Sequence, residues 1–228
     1  MTIVERETAV APDFRGDELA VRYARMAHDF APRPIDHLLR GLDVVLAGLG
    51  LVLLAPVLAA CALAVRFSGR PVLYRGARVG RAGTVFWMYK FRTLRPDAER
   101  RLAPYLGDEL TRLTELELTP VGRALRATKL DEMPQLYNVL RGEMSLVGPR
   151  PIRPLFFVEL CAGIPAYWQR LVVRPGITGL AQLRLSREMT WAEKLVHDLE
   201  YIADRSVGLY LSILVQTAAL VAGRLLGR

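Results

Sequence analysis

An uncharged stretch of 22 residues, from Val44 to Val65, limits what this chain can fold into more than any other feature of its sequence. As an α-helix the stretch would be about 33 Å long, which is enough to cross a hydrocarbon core of about 30 Å. It is too long for the apolar region of a signal peptide, and it leads into Arg66 instead of a small-residue cleavage site. The length therefore predicts a membrane helix, with the core helix of a soluble domain as the less favoured alternative.

The same stretch contains Pro56 near its middle, where a proline removes a backbone hydrogen bond and kinks a helix. Arginines flank both of its ends, whereas a spanning helix usually has its positive charge on one side. These arginines are Arg22, Arg25, Arg33 and Arg40 before the stretch and Arg66, Arg70, Arg75, Arg78 and Arg81 after it. We therefore predict a Pro-kinked re-entrant helix, which enters one leaflet and returns to the same side. Asp43 and Arg66 would then both lie at the membrane interface.

A second apolar segment, Val207 to Gly223, is uncharged for 17 residues. Its polar side chains gather on one side, which is typical of an amphipathic helix lying in the headgroup region. These side chains are Ser212, Gln216 and Thr217. A buried helix of the globular domain is the alternative.

The composition of the 228 residues combines 52% hydrophobic residues with a net charge of +8. So much apolar surface excludes a disordered chain, and two cysteines, Cys61 and Cys161, are too few for a disulfide scaffold. The basic excess indicates anionic partners: lipid headgroups, nucleic acid or phosphorylated substrates. Nucleic acid is disfavoured, because Gly and Pro turns interrupt the basic residues instead of leaving them along one helix beside aromatic residues.

The region between Ser68 and Asp204 has the mixed pattern of a compact domain. The expected strands of a hairpin are Val72–Tyr74 and Val85–Tyr89. The expected helices are Asp97–Leu118, one that opens at Thr119 and Pro120, Met133–Leu140 and Trp191–Tyr201. Because strands and helices do not alternate over a long range, we predict an α+β fold that is mostly helical, and neither a Rossmann fold nor a barrel.

Two adjacent carboxylates, Asp131 and Glu132, precede Pro134 and are therefore expected at the N-terminus of a helix. One interpretation is structural: Asp131 caps the helix, and Glu132 interacts favourably with its dipole. The other is chemical, because free N–H groups at a helix N-terminus bind phosphate. A carboxylate there could attack phosphorus or hold Mg²⁺ against a diphosphate.

Three basic, turn-rich elements accompany this acidic pair. They are Tyr89–Thr93, Val147–Pro151 and Arg174–Gly179, and in the second of them two prolines fix the backbone around Arg150. A structural turn with a solvated arginine is the alternative interpretation. Together with the carboxylates, these elements predict an electropositive pocket for a polyphosphate and its metal ion. The sequence contains no zinc-ligand spacing, no Walker loop and no GxSxG motif.

Five motifs in chain order resemble those of the bacterial sugar transferase family, the monotopic phosphoglycosyl transferases. The motifs are Lys90–Thr93, Leu130–Gln135, Asn138–Leu140, Met144–Pro151 and Pro175–Gln182. The resemblance covers roughly Arg40 to Leu220. It implies transfer of a sugar-1-phosphate from a UDP-sugar to undecaprenyl phosphate with release of UMP, in the initiation of exopolysaccharide, O-antigen or other glycan assembly.

The resemblance also implies roles for individual residues. Asp131 would be the nucleophile that forms a covalent phosphosugar intermediate, and Glu132 would act on Mg²⁺ or on a proton of the acceptor phosphate. Both carboxylates would be ligands of the Mg²⁺ cofactor. The residues implied in binding substrate or phosphate are Lys90, Arg92, Arg126, Arg150 and Asp198, and Pro56 would be the residue that makes the membrane helix re-entrant.

On this resemblance the chain divides into three parts. They are an N-terminal cytoplasmic extension (1–33), a re-entrant membrane helix (34–67) and a cytoplasmic catalytic domain with a C-terminal interfacial helix (68–228). The expected location is the cytoplasmic face of the bacterial inner membrane. The expected partners are a UDP-sugar, undecaprenyl phosphate and inner-membrane lipid, without nucleic acid; a homodimer is left open.

Three departures from the family pattern bear on the identity of the sugar. Glu115–Glu117 stands where members usually carry Asp-Pro-Arg, Arg184–Ser186 where many have Asn-Gly-Arg, and Tyr210 where an Asp is usual. The alternatives to an enzyme are a catalytically silent membrane scaffold of the same fold and a membrane-tethered module that binds anionic lipid or nucleic acid. The intact Asp131 and Glu132 argue against both alternatives.

Overall fold

The computed structural model describes residues 33–102, 107–184 and 189–225. The predicted N-terminal extension, except for Arg33, and residues 185–186 of the departing motif lie outside these ranges. The described chain is mostly helical with two small sheets, which confirms the α+β prediction.

The helices are, in chain order, α1 (Pro34–Phe67), α2 (Ala98–Leu102), α3 (Gly107–Leu116), α4 (Pro120–Thr128), α5 (Gln135–Leu140), α6 (Pro154–Gly163), α7 (Leu180–Arg184), α8 (Trp191–Asp204) and α9 (Val207–Leu225). The strands are β1 (Leu73–Val79), β2 (Val85–Phe91), β3 (Ser145–Val147) and β4 (Gly176–Thr178). Short 3₁₀ helices are formed by Arg81–Gly83, Leu130–Glu132 and Tyr167–Val172.

Helix α1 contains the uncharged stretch and continues through Pro56. Pro34 occupies its first turn, and the Asp36 side chain accepts a hydrogen bond from the backbone N–H of Arg33 (3.0 Å). The large apolar side chains in its middle are mostly exposed, as Leu53 is (73%). By length and composition, α1 is the one helix within the described ranges that could cross a membrane.

One face of α1 packs against the rest of the domain on both sides of Pro56. Leu39 and Ala47 are buried before the proline, and Cys61 and Val65 are buried after it. The second pair belongs to an apolar cluster that also contains Leu58, Phe91, Leu125 and Leu130. The helix is therefore anchored to a single domain through both of its halves.

Polar contacts also hold α1. Near its start Asp36 pairs with Arg205, whose Nε and Nη2 lie 2.5 and 3.0 Å from the two carboxylate oxygens. Asp43 is 2% exposed, because α1 runs alongside the domain at this point, and its expected position at the membrane interface stays a prediction. Its Oδ1 accepts hydrogen bonds from Ser145 Oγ (2.9 Å), Leu146 N (2.8 Å) and Tyr210 Oη (2.8 Å).

Strands β1 and β2 form the expected antiparallel hairpin, in a register that pairs Leu73 with Phe91 and Val79 with Val85. Strand β1 continues to Val79, beyond the predicted end at Tyr74. Its arginines, Arg75 and Arg78, interrupt the run of apolar residues from which a strand is predicted. Phe86 and Met88 of β2 pack with Ala47 of α1 and Leu136 of α5 in one apolar cluster. The hairpin therefore lies on α1 and carries Lys90 near the end of β2.

The strands of the second sheet, β3 and β4, are parallel, and their flanking segments approach very closely. A Cβ on Gly176 would lie 2.1 Å from Gly148 N, and a Cβ on Gly148 would lie 2.4 Å from Arg174 O. Because both obstacles are backbone atoms, only glycine fits at either position. This contact fixes the loop after β3 on the domain.

Helix α9 packs one side against the domain and exposes the other. Tyr210 and Ile213 are fully buried in a cluster with Leu39 and Val147, whereas Val215 is 68% exposed. The buried-helix alternative therefore holds for one face of α9. The opposite face keeps the apolar exposure that is typical of an interfacial helix.

Candidate active site

A cavity of about 590 Å³ lies between the hairpin, α4, the 3₁₀ helix of residues 130–132 and the loop after β3. This volume is within the usual range of small-molecule sites. Basic side chains outnumber acidic ones in its lining, which includes Arg78, Lys90, Arg92, Arg95, Arg126, Lys129, Arg150 and Arg153 against Asp97, Asp131 and Glu132. The structure therefore contains the electropositive pocket that the sequence predicted around the acidic pair.

Asp131 lies in the 3₁₀ helix that follows Lys129, a residue in the left-handed conformation (φ 60°) at the end of α4. Its side chain is buried, and its Oδ1 has no hydrogen-bond partner among the described residues. The interpretation of Asp131 as a helix cap is wrong: neither this 3₁₀ helix nor α5 has a side-chain cap, and Pro134 occupies the N-cap of α5. Burial, and then the negative charge of Glu132, raise the pKa of Asp131.

Glu132 is in a different electrostatic environment. Its Oε1 accepts a hydrogen bond from Lys90 Nζ (2.8 Å) and lies 4.0 Å from Arg150 Nη2. Burial opposes ionisation of Glu132, but the charges of Lys90 and Arg150 outweigh it and lower the pKa of this carboxyl. In this pair, cations neutralise the Glu132 carboxylate, whereas the Asp131 carboxylate has an oxygen without a hydrogen-bond partner among the described residues.

Lys90 reaches Glu132 from the end of β2, and Asn138 of α5 fixes that strand. The Asn138 side chain is fully buried; its Oδ1 accepts a hydrogen bond from Tyr89 N (3.0 Å), and its Nδ2 donates to Trp87 O (2.7 Å). An amide side chain thus takes the place of a further strand at this edge of the hairpin. It joins the strand of Lys90 to the helix that follows Glu132.

Arg126 is brought to the cavity by a close contact between α4 and the chain after β2. A Cβ on Gly122 would lie 1.9 Å from Thr93 O, so only glycine allows α4 to approach this closely. Thr119 caps α4 by accepting a hydrogen bond from Gly122 N (2.9 Å). Arg126 Nε then donates to Thr93 Oγ1 (3.1 Å), which orients the guanidinium at the cavity.

Arg150 is half-exposed on the loop after β3, and its backbone oxygen accepts a hydrogen bond from Arg170 Nη2 (2.9 Å). Arg170 also pairs with Asp198 (2.7 Å), and both side chains are buried. The Asp198 carboxylate faces Arg170 and does not line the cavity, so its expected binding of substrate or phosphate stays a prediction. Asp198 supports the Arg150 loop through Arg170.

Two other basic residues are used mainly by the fold. Arg92 borders the cavity, but four of its five guanidinium N–H groups donate within the fold, so its expected binding of phosphate stays a prediction. These groups donate to Pro71 O, Leu94 O, Val65 O and Ser68 Oγ. Arg92 therefore ties the end of α1 to the domain. Arg174 donates to Gly142 O (2.8 Å) and does not line this cavity.

Comparison with known protein families agrees with these motifs. A family model described as bacterial sugar transferase matches residues 36–224. The chain belongs to the bacterial sugar transferase family. The matched range contains α1 from Asp36 onward, the acidic pair and the four strands of the described residues, so the family match covers nearly all of the described chain.

Three sugar transferase relatives differ in how much of their own length the chain covers. Undecaprenyl-phosphate galactose phosphotransferase of Salmonella typhimurium is 32% identical over 96% of this chain and 50% of that protein. UDP-glucose:undecaprenyl-phosphate glucose-1-phosphate transferase of Caulobacter vibrioides is 41% identical over 80% of this chain and 69% of that protein. Exopolysaccharide production protein PSS of Rhizobium leguminosarum is 35% identical over 79% of this chain and 92% of that protein. The chain thus spans about half the length of the Salmonella relative.

The sugar transferase motifs did not point to several residues of the cavity lining, namely Tyr74, Arg78, Arg95, Lys129 and Arg153. In the sequence, Arg78 stands out only as one of the charges that flank the membrane helix. The alternation of Tyr74, Gly76 and Arg78 could have revealed it, because residues two apart share one face of a strand. A Cβ on Gly76 would lie 2.2 Å from Tyr74 Oη and 2.8 Å from Arg78 Nη1, so this glycine leaves room for both side chains.

The acidic pair of this sugar transferase has donors that suit Mg²⁺. No group of three or more His, Cys, Asp or Glu side chains meets within the described part of the chain, so no complete protein cage is present there. Mg²⁺ at phosphate-transfer sites is usually bound through one or two carboxylates and substrate phosphates, with water completing the shell. The unpartnered oxygen of Asp131 and the neighbouring Glu132 match that donor set.

Proposed function

We propose that this chain transfers a sugar-1-phosphate from a UDP-sugar to undecaprenyl phosphate and releases UMP. The observation that carries the proposal is the unpartnered Oδ1 of Asp131 in a cavity lined mainly by cations. A carboxylate and a diphosphate repel each other unless positive charge neutralises them, and the lining supplies that charge. The names of the Salmonella and Caulobacter relatives support the choice of acceptor.

In the first step, Asp131 Oδ1 attacks the β-phosphorus of the UDP-sugar. A bond forms between this oxygen and phosphorus, the bond from phosphorus to the bridging oxygen breaks, and UMP leaves with that oxygen and its electron pair. Asp131 then carries the sugar phosphate as an acyl phosphate. Its raised pKa makes the Asp131 carboxylate a stronger base than Glu132, whose charge is neutralised by Lys90.

In the second step, a phosphate oxygen of undecaprenyl phosphate attacks the same phosphorus, and Asp131 leaves as a carboxylate. The product is the sugar joined to undecaprenol through a diphosphate. Arg126 and Arg150 neutralise phosphate charge in both steps. Glu132 lies beside the reacting atoms and serves either the metal ion or a proton of the incoming phosphate.

We also propose that Asp131 and Glu132 hold Mg²⁺ together with oxygens of the substrate phosphates. Bound there, the ion would neutralise charge on the diphosphate. Lys90 and Arg150 contact the Glu132 side of the pair, which holds that carboxylate in a fixed orientation.

We further propose that α1 is re-entrant and that the domain lies on the cytoplasmic face of the bacterial inner membrane. The support comes from the two anchors of α1: Asp36 near its start binds Arg205, and Val65 near its end binds Arg92. A domain on one side of a bilayer cannot hold both ends of a straight spanning helix. Since the acceptor is a lipid, its phosphate would meet the cavity at headgroup level.

The experiment is to incubate the purified protein with Mg²⁺, undecaprenyl phosphate and a panel of UDP-sugars and to measure UMP. Asp131→Asn should lower turnover by at least about 10³-fold, since it removes the nucleophile. Asp204→Asn, at an exposed position at the end of α8, is the matched control and should retain turnover. With a UDP-sugar alone, mass spectrometry should find one sugar phosphate on Asp131.

Two outcomes would contradict this proposal. Absence of UMP release across a broad panel by folded protein would remove the proposed reaction. Retained turnover by Asp131→Asn would remove the covalent intermediate and leave the reaction itself standing.

A further inference from the structure

A second group of cations lies away from the catalytic cavity, at the opposite end of the hairpin. Arg40 of α1, Arg81 of the hairpin turn and Arg174 before β4 line a separate cavity of about 40 Å³. The polar side chains in the rest of its lining are Asp36, Asp43, Ser145, Tyr201 and Arg205. A cavity of this volume can hold a few groups of the size of a water molecule. The oxygen atoms of one phosphate are groups of that size.

The carboxylates of this cavity already have partners. Asp36 pairs with Arg205, and Asp43 accepts three hydrogen bonds from uncharged donors. Within the described residues, no ion pair joins Arg40, Arg81 or Arg174 to a carboxylate. Three guanidinium groups therefore line the cavity without a direct ion pair among the described residues, and the charges of Asp36 and Asp43 neutralise them only in part.

Two of the three groups are held in place by the end of α5. Arg40 donates to two backbone oxygens there (2.6 and 3.0 Å), and Arg174 Nε donates to a third (2.8 Å). These bonds use only some of the five N–H donors of each guanidinium. The remaining donors are thus presented in a fixed arrangement, which lowers the entropy cost of binding a ligand.

The electrostatics of the group favour an anion. Burial, and then the charges of Arg40 and Arg81, lower the pKa of Arg174. The charges of Asp43 and Asp36 offset this only in part, so the three cations still repel one another. A phosphate between them would relieve this repulsion through charge-assisted hydrogen bonds.

The position of the group indicates where such a phosphate comes from. Arg40 precedes the uncharged stretch of α1 by four residues, which is about one helical turn. Lipid headgroups surround an apolar helix at the level where its uncharged stretch begins.

We propose that Arg40, Arg81 and Arg174 form a phosphate site that binds the headgroup of an anionic phospholipid. The site lies outside the catalytic cavity and takes no part in the proposed transfer reaction. Free phosphate has the same chemistry as the headgroup, so the experiment compares the two sources.

The experiment measures the Tm of the full chain in phosphatidylcholine nanodiscs, with and without phosphatidylglycerol. Because a ligand of the folded state raises Tm, the unmodified protein should gain about 5 °C or more from phosphatidylglycerol. Arg81→Gln and Arg174→Gln should each lose most of this gain. Arg75→Gln is the matched control, because Arg75 lies on the same hairpin but contacts Tyr89 and is outside the cavity, and it should keep the gain.

A second arm adds inorganic phosphate to phosphatidylcholine nanodiscs, with potassium chloride at equal ionic strength as its control. The lipid site is supported if phosphatidylglycerol raises Tm, if this rise depends on Arg81 and Arg174, and if free phosphate does not raise Tm. An equal rise in Tm with free phosphate would overturn the lipid as the source of the phosphate. No rise in Tm with either ligand would overturn the site. The site would also be overturned if Arg75→Gln lost as much of the rise in Tm as Arg81→Gln and Arg174→Gln. Because Tm is the readout, the result is independent of whether the protein transfers a sugar phosphate.

Discussion

At the scale of single residues, the two neighbouring carboxyl groups have different ionisation properties because of where their partners lie. Lys90 donates to Glu132 at 2.8 Å, whereas no described residue donates to Asp131 Oδ1. Burial therefore raises the pKa of Asp131, while the cations beside Glu132 lower the pKa of that group. When their environments move the pKa values of two neighbouring carboxyl groups apart, the two groups can take different chemical roles.

This separation predicts the pH dependence of UMP release. In the proposed reaction Asp131 attacks as a carboxylate, so turnover should fall on the acid side as this group is protonated. In the protein without a bound metal ion, burial and then Glu132 raise the pKa of Asp131 above that of an exposed aspartate. Glu132→Gln removes a negative charge that raises this pKa and should move the acid limb to lower pH. Lys90→Met removes a positive charge that lowers it and should move the limb to higher pH. Rate profiles of the three proteins provide the measurement, and shifts of both variants in one direction would contradict the assignment.

A second residue-scale prediction concerns the buried pair of Arg170 and Asp198. Asp198→Asn leaves Arg170 buried without a counter-charge, which should cost about 3–5 kcal/mol and lower Tm. Replacing both residues, as Arg170→Met with Asp198→Leu, removes both charges and should recover part of the loss. If Asp198→Asn instead raised KM for the UDP-sugar and left Tm unchanged, Asp198 would contact substrate after all.

At the scale of secondary-structure elements, the position of α4 depends on one glycine. In Gly122→Ala the new Cβ would meet Thr93 O at 1.9 Å, so α4 must move away and take Arg126 with it. Overpacking of this kind costs about 1–3 kcal/mol, and a displacement of about 1 Å in a catalytic site can lower turnover about 10²-fold. Gly163→Ala is the control, since no atom lies within 4 Å of its Cβ position. Equal turnover in the two variants would contradict this role of Gly122.

The elements also show what the sequence could and could not predict. The hairpin, α4, α5 and α8 have local signals, such as the Thr119 cap, and these elements lie close to where they were expected. A motif gives residue types and not side-chain directions, so it did not predict the contacts of Arg92 and Asp198 within the fold. Their partners, Val65 and Arg170, are 27 and 28 positions away in the chain, so no local pattern relates them.

At the scale of the whole molecule, the two anchors of α1 predict its topology. Leu38 and Phe67 are exposed near opposite ends of the helix (63% and 88%). Cysteines placed there singly, after both native cysteines are replaced by alanine, should react with an impermeant maleimide from the same side of oriented membrane vesicles. Leu53→Cys, in the exposed middle of α1, should stay unreactive inside the hydrocarbon. Labelling of the two ends from opposite sides would show a spanning helix.

The apolar cluster that joins Cys61 and Val65 of α1 to Leu130 has a consequence for the bilayer itself. Leu130 is bonded directly to Asp131, so the depth of α1 in the membrane determines the height of the carboxylate above the acyl chains. In the proposed reaction, membrane thickness would then affect transfer, because a thinner or thicker leaflet would change how far the acceptor phosphate must travel to reach Asp131. The length of the acyl chains would then set the distance between the acceptor phosphate and Asp131, as the length of a spacer sets the distance between two reacting groups.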